Sequence, residues 1–193
     1  MESFYSTEEL KKLGLKKIGN NVKISRKTSI YSADNISIGD YSRIDDFSIL
    51  SGNITIGRNV HIAAYTGIFA GSAGVKIDDF CGVSAHCNIY AASDDYTGLA
   101  MTNPTIPEKY KMLTEKMVTI SKHALVGAGC TILPGVNIGE GASFGSMSLI
   151  NKDVEPWTIN VGIPAKAIKK RSKNILELEK QFLEEIAMET KQE

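Results

Sequence analysis

The 193-residue sequence is sparing with several features that define whole classes of protein. Its 22 lysines and arginines are balanced by 22 aspartates and glutamates, and the lack of net charge argues against broad binding of nucleic acids or membrane surfaces. No apolar run approaches the ~18 residues of a membrane span, and the start Met-Glu-Ser-Phe-Tyr lacks the regions of a signal peptide. We therefore expect a soluble, cytoplasmic protein without a nucleic-acid partner or a membrane span.

Cysteine is scarce as well. Cys81, Cys87 and Cys130 are the three cysteines, and no two of them have the CxxC spacing. The odd count and the spacing predict neither a disulfide framework nor a zinc site. We expect three buried thiols that act as small apolar side chains, and a catalytic thiol is the alternative.

What the sequence does contain is a strict period of six residues between Ile120 and Val154. A large apolar residue returns at every sixth position, and a smaller residue follows four places after it. The large residues are Ile120, Val126, Ile132, Ile138, Phe144 and Ile150, and the small ones are Ala124, Cys130, Val136, Ala142, Ser148 and Val154. Because a helix repeats every ~3.6 residues and a strand every two, this period predicts a parallel β-helix whose short strands stack coil upon coil.

The same period also appears earlier in the chain and sets the predicted domain organisation. Three hexapeptides make one triangular coil, and about six coils begin near Ile18, Ile38, Ile56, Ile77, Ile120 and Ile138. We expect a capping helix within residues 1–17, the β-helix over 18–155, and a C-terminal segment over 156–193 that ends in an amphipathic α-helix. An irregular insertion at 95–117 interrupts the coils, and insertions of this length are usually functional.

The hexapeptides, this insertion and the ending Gly162-Ile163-Pro164-Ala165-Lys166 resemble the left-handed β-helix acyltransferases. Within them the chain is most similar to sugar O-acetyltransferases of the galactoside, maltose and nodulation-factor group. It is closer still to surface-polysaccharide acetyltransferases, which share the segment Ser93-Asp94-Asp95-Tyr96. The resemblance implies an all-β, left-handed coil, a homotrimer, acetyl-coenzyme A as donor, no metal, and active sites in the clefts between subunits.

In the galactoside-type relatives, a histidine ends the hexapeptide that enters the loop and serves as the base. Asp94 stands at that position here, so it either acts as the base itself or orients a histidine from elsewhere. Since a bare aspartate is a weak base near neutral pH, we expect His61 to be the base and Asp94 of another subunit to pair with it. His86 is the alternative base. His123 is expected in a solvated turn.

The resemblance places the donor along the last coils. Small residues keep that groove open, and basic residues near the C-terminal end meet the phosphates of the donor. The candidate donor residues are Gly127, Ala128, Ser146, Lys152, Lys166 and Arg171. The loop is expected to bind the sugar or sugar-nucleotide acceptor through Asp95, Tyr96 and Asn103.

The predicted function is acetyl transfer from acetyl-CoA to a sugar hydroxyl in surface-polysaccharide biosynthesis. The alternative is N-acetylation of a nucleotide-linked amino sugar, because the same fold serves both reactions. An antibiotic acceptor and a non-catalytic trimer rank below these two. A zinc enzyme of the γ-carbonic-anhydrase type ranks lowest, because the three histidines are too scattered along the chain to form its ligand set.

Overall fold

The computed structural model describes residues 3–189, which form twenty strands and two α-helices. The strands are β1 (Lys17–Ile18), β2 (Lys23–Ile24), β3 (Ser29–Tyr31), β4 (Ile36–Ile38), β5 (Arg43–Ile44), β6 (Ile49–Ile56), β7 (His61–Ile62), β8 (Gly67–Ile77), β9 (Gly82–Val83), β10 (Asn88–Tyr90), β11 (Ala92–Ser93), β12 (Thr114–Glu115), β13 (Val118–Ile120), β14 (Leu125–Val126), β15 (Thr131–Ile132), β16 (Asn137–Ile138), β17 (Ser143–Phe144), β18 (Leu149–Ile150), β19 (Thr158–Val161) and β20 (Lys166–Lys170). The helices are α1 (Thr7–Lys12) and α2 (Asn174–Glu189).

The strands form the three faces of a left-handed parallel β-helix. The period of six predicted the coil, and the family resemblance implied its left-handed sense. The first face contains β1, β4, the second halves of β6 and β8, β13 and β16. The second face contains β2, β5, β7, β9, β14, β17 and β19. The third face contains β3, the first halves of β6 and β8, β10, β15 and β18. We call the bends after the first, second and third faces the first, second and third corners.

The period of six keeps the core in register from coil to coil. On the first face Ile18 pairs with Ile38, and the ladder continues to Val154, which bridges to Ile138. The helix therefore has about seven turns, one more than the six counted from the sequence, because β19 adds a further rung beneath β17. Stacked isoleucines such as Ile24, Ile44 and Ile62 are fully buried, and each contributes roughly 1.5–3 kcal/mol of burial free energy.

The small inward positions behave as predicted. Cys81, Cys87 and Cys130 are all buried, with exposed fractions of 2%, 0% and 0%. Burial raises the pKa of the Cys81 thiol to about 12, which suppresses the thiolate that a nucleophile requires. Complete or nearly complete burial is what the three cysteines share, and it supports a packing role for them.

The predicted insertion leaves the coil at the third corner. Ala92 and Ser93 of β11 pair with Glu115 and Thr114 of β12 in an antiparallel stem, and the loop extends beyond this stem. The stem returns the chain to the first face, where β13 resumes the stack against β8. The loop therefore projects from one edge of the prism without breaking its core.

Both ends of the coil carry a helix. Ser6 and Glu9 form the predicted capping box of α1, and Glu9 also binds Arg26 of the first coil. At the other end β19 and β20 form an antiparallel hairpin, and α2 follows it. Neither helix within 3–189 is long and apolar enough to cross a membrane. The division into three segments at 17/18 and 155/156 stays a prediction.

α2 docks on the first corner, and this corrects the expected solvation of His123. The imidazole is only 7% exposed, because it stacks on Phe80 with ring centroids 5.4 Å apart and packs beside Trp157. Its Nε2 atom lies 2.8 Å from a carboxylate oxygen of Glu179 on α2. The predicted apolar stripe of α2 is buried only in part, since Phe182 packs edge-on against Phe80 yet stays 40% exposed.

Candidate active site

Asp94 stands where the third face turns into the loop. β10 and β11 bring it to the rim of a groove of about 410 Å³, and β15 with the corner after it forms the opposite wall. The side chains that line this groove with Asp94 include Tyr90, Tyr96, Thr131, Leu133 and Pro134. Tyr90 is held in place by stacking on Phe69 of the coil above, with ring centroids 5.2 Å apart. A half-buried carboxylate on an apolar wall can receive and orient a polar acceptor group.

Two of the three predicted acceptor residues brace the loop. Asp95 accepts hydrogen bonds from the Thr97 hydroxyl and from the backbone amides of Thr97, Leu99 and Ala100. These bonds, led by the one from the Thr97 hydroxyl, lower the pKa of Asp95 to about 2. Asn103 likewise accepts from the amide and the hydroxyl of Thr105.

Tyr96, the third predicted acceptor residue, differs from the other two. Its side chain is 93% exposed and lines the Asp94 groove. Of the three residues it is therefore the one placed to contact a ligand in this groove.

The structure gives His61 a partner that the sequence analysis missed. His61 begins β7 on the second face, and its Nε2 atom lies 2.8 Å from Asp45 Oδ2. Arg43 donates from Nε to the other oxygen of the same carboxylate at 2.6 Å. Partial burial works to raise the pKa of Asp45, but the hydrogen bonds from His61 and Arg43 outweigh it and hold that pKa below its usual range.

The expected pairing of His61 with Asp94 requires two chains, so a single protomer leaves it a prediction. The Asp45 contact could have been found from the repeat. Arg43 of β5 pairs with His61 of β7, which lies one coil below it. Because the coils are in register, Asp45, two residues after Arg43, is expected to lie close to His61. His86, the alternative base, is exposed at the second corner and stacks on Tyr65.

Gly127, Ala128 and Ser146, the small residues predicted to line the donor groove, lie together at the second corner. Gly127 admits no side chain, because a Cβ atom there would lie 2.6 Å from the Phe144 carbonyl oxygen. Ala128 and Ser146 stand in successive coils, and the carbonyl of Ala128 accepts a hydrogen bond from the Met147 amide in the coil below. Gly127 and Ala128 are half-buried and Ser146 is exposed, so small side chains follow one another along this corner parallel to the coil axis.

The predicted phosphate-binding residues separate into two groups. Lys152 and Lys166 are exposed near the C-terminal end, and Lys152 borders a cavity of about 560 Å³ beneath the last coil. Arg171 instead points into the first corner, where its Nη1 donates to the carbonyls of His123 at 2.8 Å and Gly141 at 2.9 Å. The two lysines are available to a ligand, whereas Arg171 is occupied in tying the chain before α2 to the coils.

The three histidines lie apart, on the second face and on the first and second corners. Within residues 3–189, no three side chains of His, Cys, Asp or Glu gather as ligands for a metal ion. The chemistry that the geometry offers is acid–base and binding chemistry at the corners of the prism.

Comparison with known proteins agrees with this architecture. The family profile described as bacterial transferase hexapeptide (six repeats) matches residues 35–70. An Escherichia coli dTDP-4-amino-4,6-dideoxy-D-glucose acyltransferase is 45% identical over 177 residues, which cover 90% of this chain and 92% of that protein. The chain belongs to the hexapeptide-repeat acyltransferases. It is therefore an enzyme that transfers acyl groups.

Two further relatives of this acyltransferase indicate the range of acceptors in the family. AntD, an N-acyltransferase from Bacillus cereus solved with dTDP and 3-hydroxybutyryl-CoA, is 48% identical, with a TM-score of 0.95 over 97% of this chain and 100% of AntD. WbbJ of Escherichia coli K12, a putative lipopolysaccharide biosynthesis O-acetyl transferase, is 29% identical over 73% of this chain and 60% of WbbJ.

The solved structures of AntD include variants at two of its positions. Its aspartate 94 is replaced by alanine or asparagine, and its serine 84 by alanine, cysteine or threonine. This acyltransferase also has a serine at position 84 and an aspartate at position 94. Ser84 lies just after β9, two residues before the second-corner His86, and the sequence analysis did not single it out.

Proposed function

We propose that this acyltransferase transfers an acyl group from acyl-coenzyme A to the amino group of a dTDP-linked amino sugar. The observation that carries the proposal is the 45% identity to a dTDP-amino-sugar acyltransferase across 92% of that relative. AntD, bound to dTDP and an acyl-CoA, supports it over almost the whole chain. N-acylation, given above as the alternative, thereby takes precedence over O-acetylation of a polysaccharide.

Asp94 supports an amine acceptor on chemical grounds. A hydroxyl must lose its proton as it attacks a thioester, so it requires a base as strong as histidine. An amine is already nucleophilic in its neutral form, and a carboxylate suffices to hold it in place and to accept a proton as the bond forms. Aspartate in the place of the relatives' histidine is the substitution expected when an amine replaces a hydroxyl.

We propose the following reaction. The amino nitrogen attacks the thioester carbonyl, a C–N bond forms, and the C–S bond breaks. Coenzyme A leaves as a thiolate and takes up a proton, while the proton lost by nitrogen passes to Asp94. Backbone amides at the second corner are suited to stabilise the oxyanion that forms on the carbonyl.

The site we propose lies between two protomers of a homotrimer. The donor positions Gly127, Ala128 and Ser146 are at the second corner, whereas Asp94 is at the third. Within one chain the width of the third face separates them, so a neighbouring protomer is needed to bring an Asp94 to a donor groove. Lys152 and Lys166 are the candidates to meet the phosphates of coenzyme A.

His61 is the second candidate for the base. Its imidazole is half exposed and is held by Asp45, the arrangement in which a carboxylate orients a general base. We favour Asp94 because it lines a groove of ligand size and because AntD has been solved with its aspartate 94 replaced.

The deciding experiment measures thiol release from acetyl-CoA and 3-hydroxybutyryl-CoA with two kinds of acceptor. One is dTDP-4-amino-4,6-dideoxyglucose, and the other is a set of sugars and polysaccharides that offer only hydroxyl groups. The proposal predicts turnover with the amino sugar and an amide in the product. Turnover restricted to the hydroxyl acceptors would instead support the O-acetyltransferase function, which the similarity to WbbJ keeps as the second candidate.

Both proposed substrates, coenzyme A thioesters and sugar nucleotides, are metabolites of the cytoplasm, and we propose that location for the enzyme. An acylated sugar nucleotide is an activated donor for glycan assembly. The proposed product therefore also suits surface-polysaccharide biosynthesis.

A further inference from the structure

Three planar side chains stack on one another along the second corner. Phe47, Tyr65 and His86 come from successive coils and all adopt the left-handed backbone conformation, with φ of 60°, 61° and 61°. Neighbouring ring centroids are 4.9 Å apart in both steps, and the rings of Tyr65 and His86 are parallel to within 3°. The Lys27 ammonium lies 5.1 Å from the Phe47 centroid and closes the upper end. We call these three residues the aromatic ladder.

The aromatic ladder is exposed, whereas the corresponding aromatic residues of the first corner are covered by α2. At the first corner Phe80, His123 and Trp157 lie beneath α2, and the last two are 7% and 8% exposed. At the second corner Phe47 and Tyr65 remain 47% and 52% exposed. Since each ring covers the faces of its neighbours, the ladder presents ring edges to solvent. Aromatic edges carry partial positive charge and attract the face of another π-system.

A cleft runs beside the upper half of the ladder. It has a volume of about 470 Å³ and is lined by Phe4, Arg43, Asp45, Phe47 and Tyr65, among others. This volume falls within the roughly 300–1,000 Å³ of small-molecule sites. Arg43 has five N–H donors, and Asp45 engages one of them. An aromatic wall beside carboxylate acceptors and a guanidinium fits a planar heterocycle joined to hydroxyls and phosphates.

The position of the ladder along the corner makes it relevant to catalysis. The donor positions Gly127, Ala128 and Ser146 lie on the same corner, in the coils directly below His86. A donor rising from the C-terminal coils and an acceptor descending from the N-terminal coils would therefore meet near His86. The ladder lies on the acceptor side of that meeting point.

We propose that the aromatic ladder and its cleft bind the pyrimidine nucleoside diphosphate half of the acceptor, an inference that rests on the proposed function. The face of the pyrimidine lies against the ring edges of Phe47 and Tyr65. Arg43 faces the diphosphate, and the carboxylates beside it accept hydrogen bonds from the base or from the deoxyribose hydroxyl. The amino sugar then extends toward His86 and the end of the donor.

The test compares Phe47→Ala and Tyr65→Ala with Tyr41→Ala in the full-length enzyme. Tyr41 is a matched control, because it lies in the same coil as Phe47, has φ of 59° and is 45% exposed, but belongs to the first corner. Edge-to-face aromatic contacts contribute about 0.5–1.5 kcal/mol, so each ladder variant should weaken dTDP binding in calorimetry by roughly 2- to 12-fold. The KM of the dTDP-linked amino sugar should rise in parallel, while kcat and the KM of acyl-CoA stay unchanged.

A second acceptor separates nucleotide binding from a general loss of structure. The amino sugar 1-phosphate lacks the nucleoside, so its kcat/KM should be the same in the wild type and in both ladder variants. Tyr65→Phe keeps the ring and should restore dTDP affinity to near the wild-type value. Melting temperature and sedimentation confirm that each variant is folded and assembled.

Two results would overturn the inference in distinguishable ways. If the wild type acylates the dTDP-linked sugar but the ladder variants bind dTDP normally, or if Tyr41→Ala weakens binding equally, the ladder is not the nucleotide site and the proposed function stands. If the wild type acylates no nucleotide-linked amino sugar at all, the proposed function fails and the inference fails with it.

Discussion

Residues in the left-handed conformation shape the first and second corners of this enzyme. Side chains usually avoid positive φ at a cost of roughly 1 kcal/mol or more, yet Phe47, Tyr65, Phe80 and His123 all adopt it. Each corner gains a backbone hydrogen bond to the adjacent coil, such as Tyr65 N to Asp46 O at 3.0 Å. Ring stacking between coils offsets the strain further. These corners therefore carry bulky planar side chains at positions whose backbone conformation usually favours glycine.

At this scale Asp94 is the residue on which the proposed chemistry depends. Asp94→Asn keeps the shape of the side chain but removes its capacity to accept a proton. We expect kcat to fall by about 10²- to 10⁴-fold, with little change in melting temperature or in the KM of acyl-CoA. Asp34→Asn is the matched control, since it makes the same change at an exposed position of the third corner in the first coil. Full activity in Asp94→Asn would exclude the carboxylate from the reaction.

His61 provides the contrasting prediction. If Asp94 accepts the proton, His61→Gln should keep kcat within about threefold of the wild type, because general-base catalysis contributes 10²-fold or more. Asp45→Asn should behave in the same way, since its carboxylate holds the imidazole. A loss of kcat of a hundredfold or more in both variants, with a changed pH–rate profile, would make His61 the base instead.

Among the elements, α2 shows how a helix with a mostly exposed surface is fixed to the coil. Glu179 is only 12% exposed and contacts Lys122 at 2.6 Å and His123 at 2.8 Å. Partial burial works to raise the pKa of Glu179, but the hydrogen bonds from Lys122 and His123 dominate and lower it. Because the pKa is lower in the docked state, this contact stabilises docking above the ordinary glutamate pKa of about 4.3 and is lost as the pH falls below it.

The fluorescence of Trp157 makes this contact measurable. Trp157 is the one tryptophan of the chain and lies buried at the corner that α2 covers. We expect its emission to shift on acidification below about pH 4. Glu179→Gln should weaken docking by about 1–2 kcal/mol at neutral pH and flatten the acid transition. Glu184→Gln changes an exposed residue of the same helix and should leave the docking and the acid transition unchanged. If Glu179→Gln shows the same acid transition as the wild type, Glu179 is not the group that titrates.

At the scale of the whole molecule, a parallel coil separates its corners by fixed widths. Residues on one corner line up along the axis with a rise of about 4.8 Å per coil, so a long donor can follow one corner through several coils. Residues on different corners cannot approach one another in the same chain, because the packed core keeps the faces apart. Catalysis that combines groups from two corners therefore requires at least two protomers.

Subunit complementation tests this requirement. Asp94→Asn removes the proposed proton acceptor, and Ala128→Trp blocks the proposed donor groove. Each variant alone should be nearly inactive. Random co-assembly should restore activity in roughly a quarter of the clefts, where an intact Asp94 faces an intact groove on another chain. Mixed assemblies as inactive as the parents would show that both groups act within one protomer.

The sequence by itself determined the coil, its interior and the point where the loop leaves it. Ile24, Ile44 and Ile62 recur once per coil and are buried together only when the coils stack. The pattern of large and small residues was therefore enough to predict the coil and its interior. It also placed Asp94 at the loop entrance and the small residues of the second corner in successive coils. A local period carries such information because each strand contacts only the coils directly above and below.

Only the tertiary structure decided how the polar side chains are used. His123 is buried beneath α2, Asp95 accepts the hydrogen bonds that brace its own loop, and Arg171 ties down the first corner. None of these outcomes follows from the period of six, because it constrains the inward positions and leaves the outward side chains free. Their partners depend on how the loop folds and where α2 docks, and those contacts span up to 56 residues of chain.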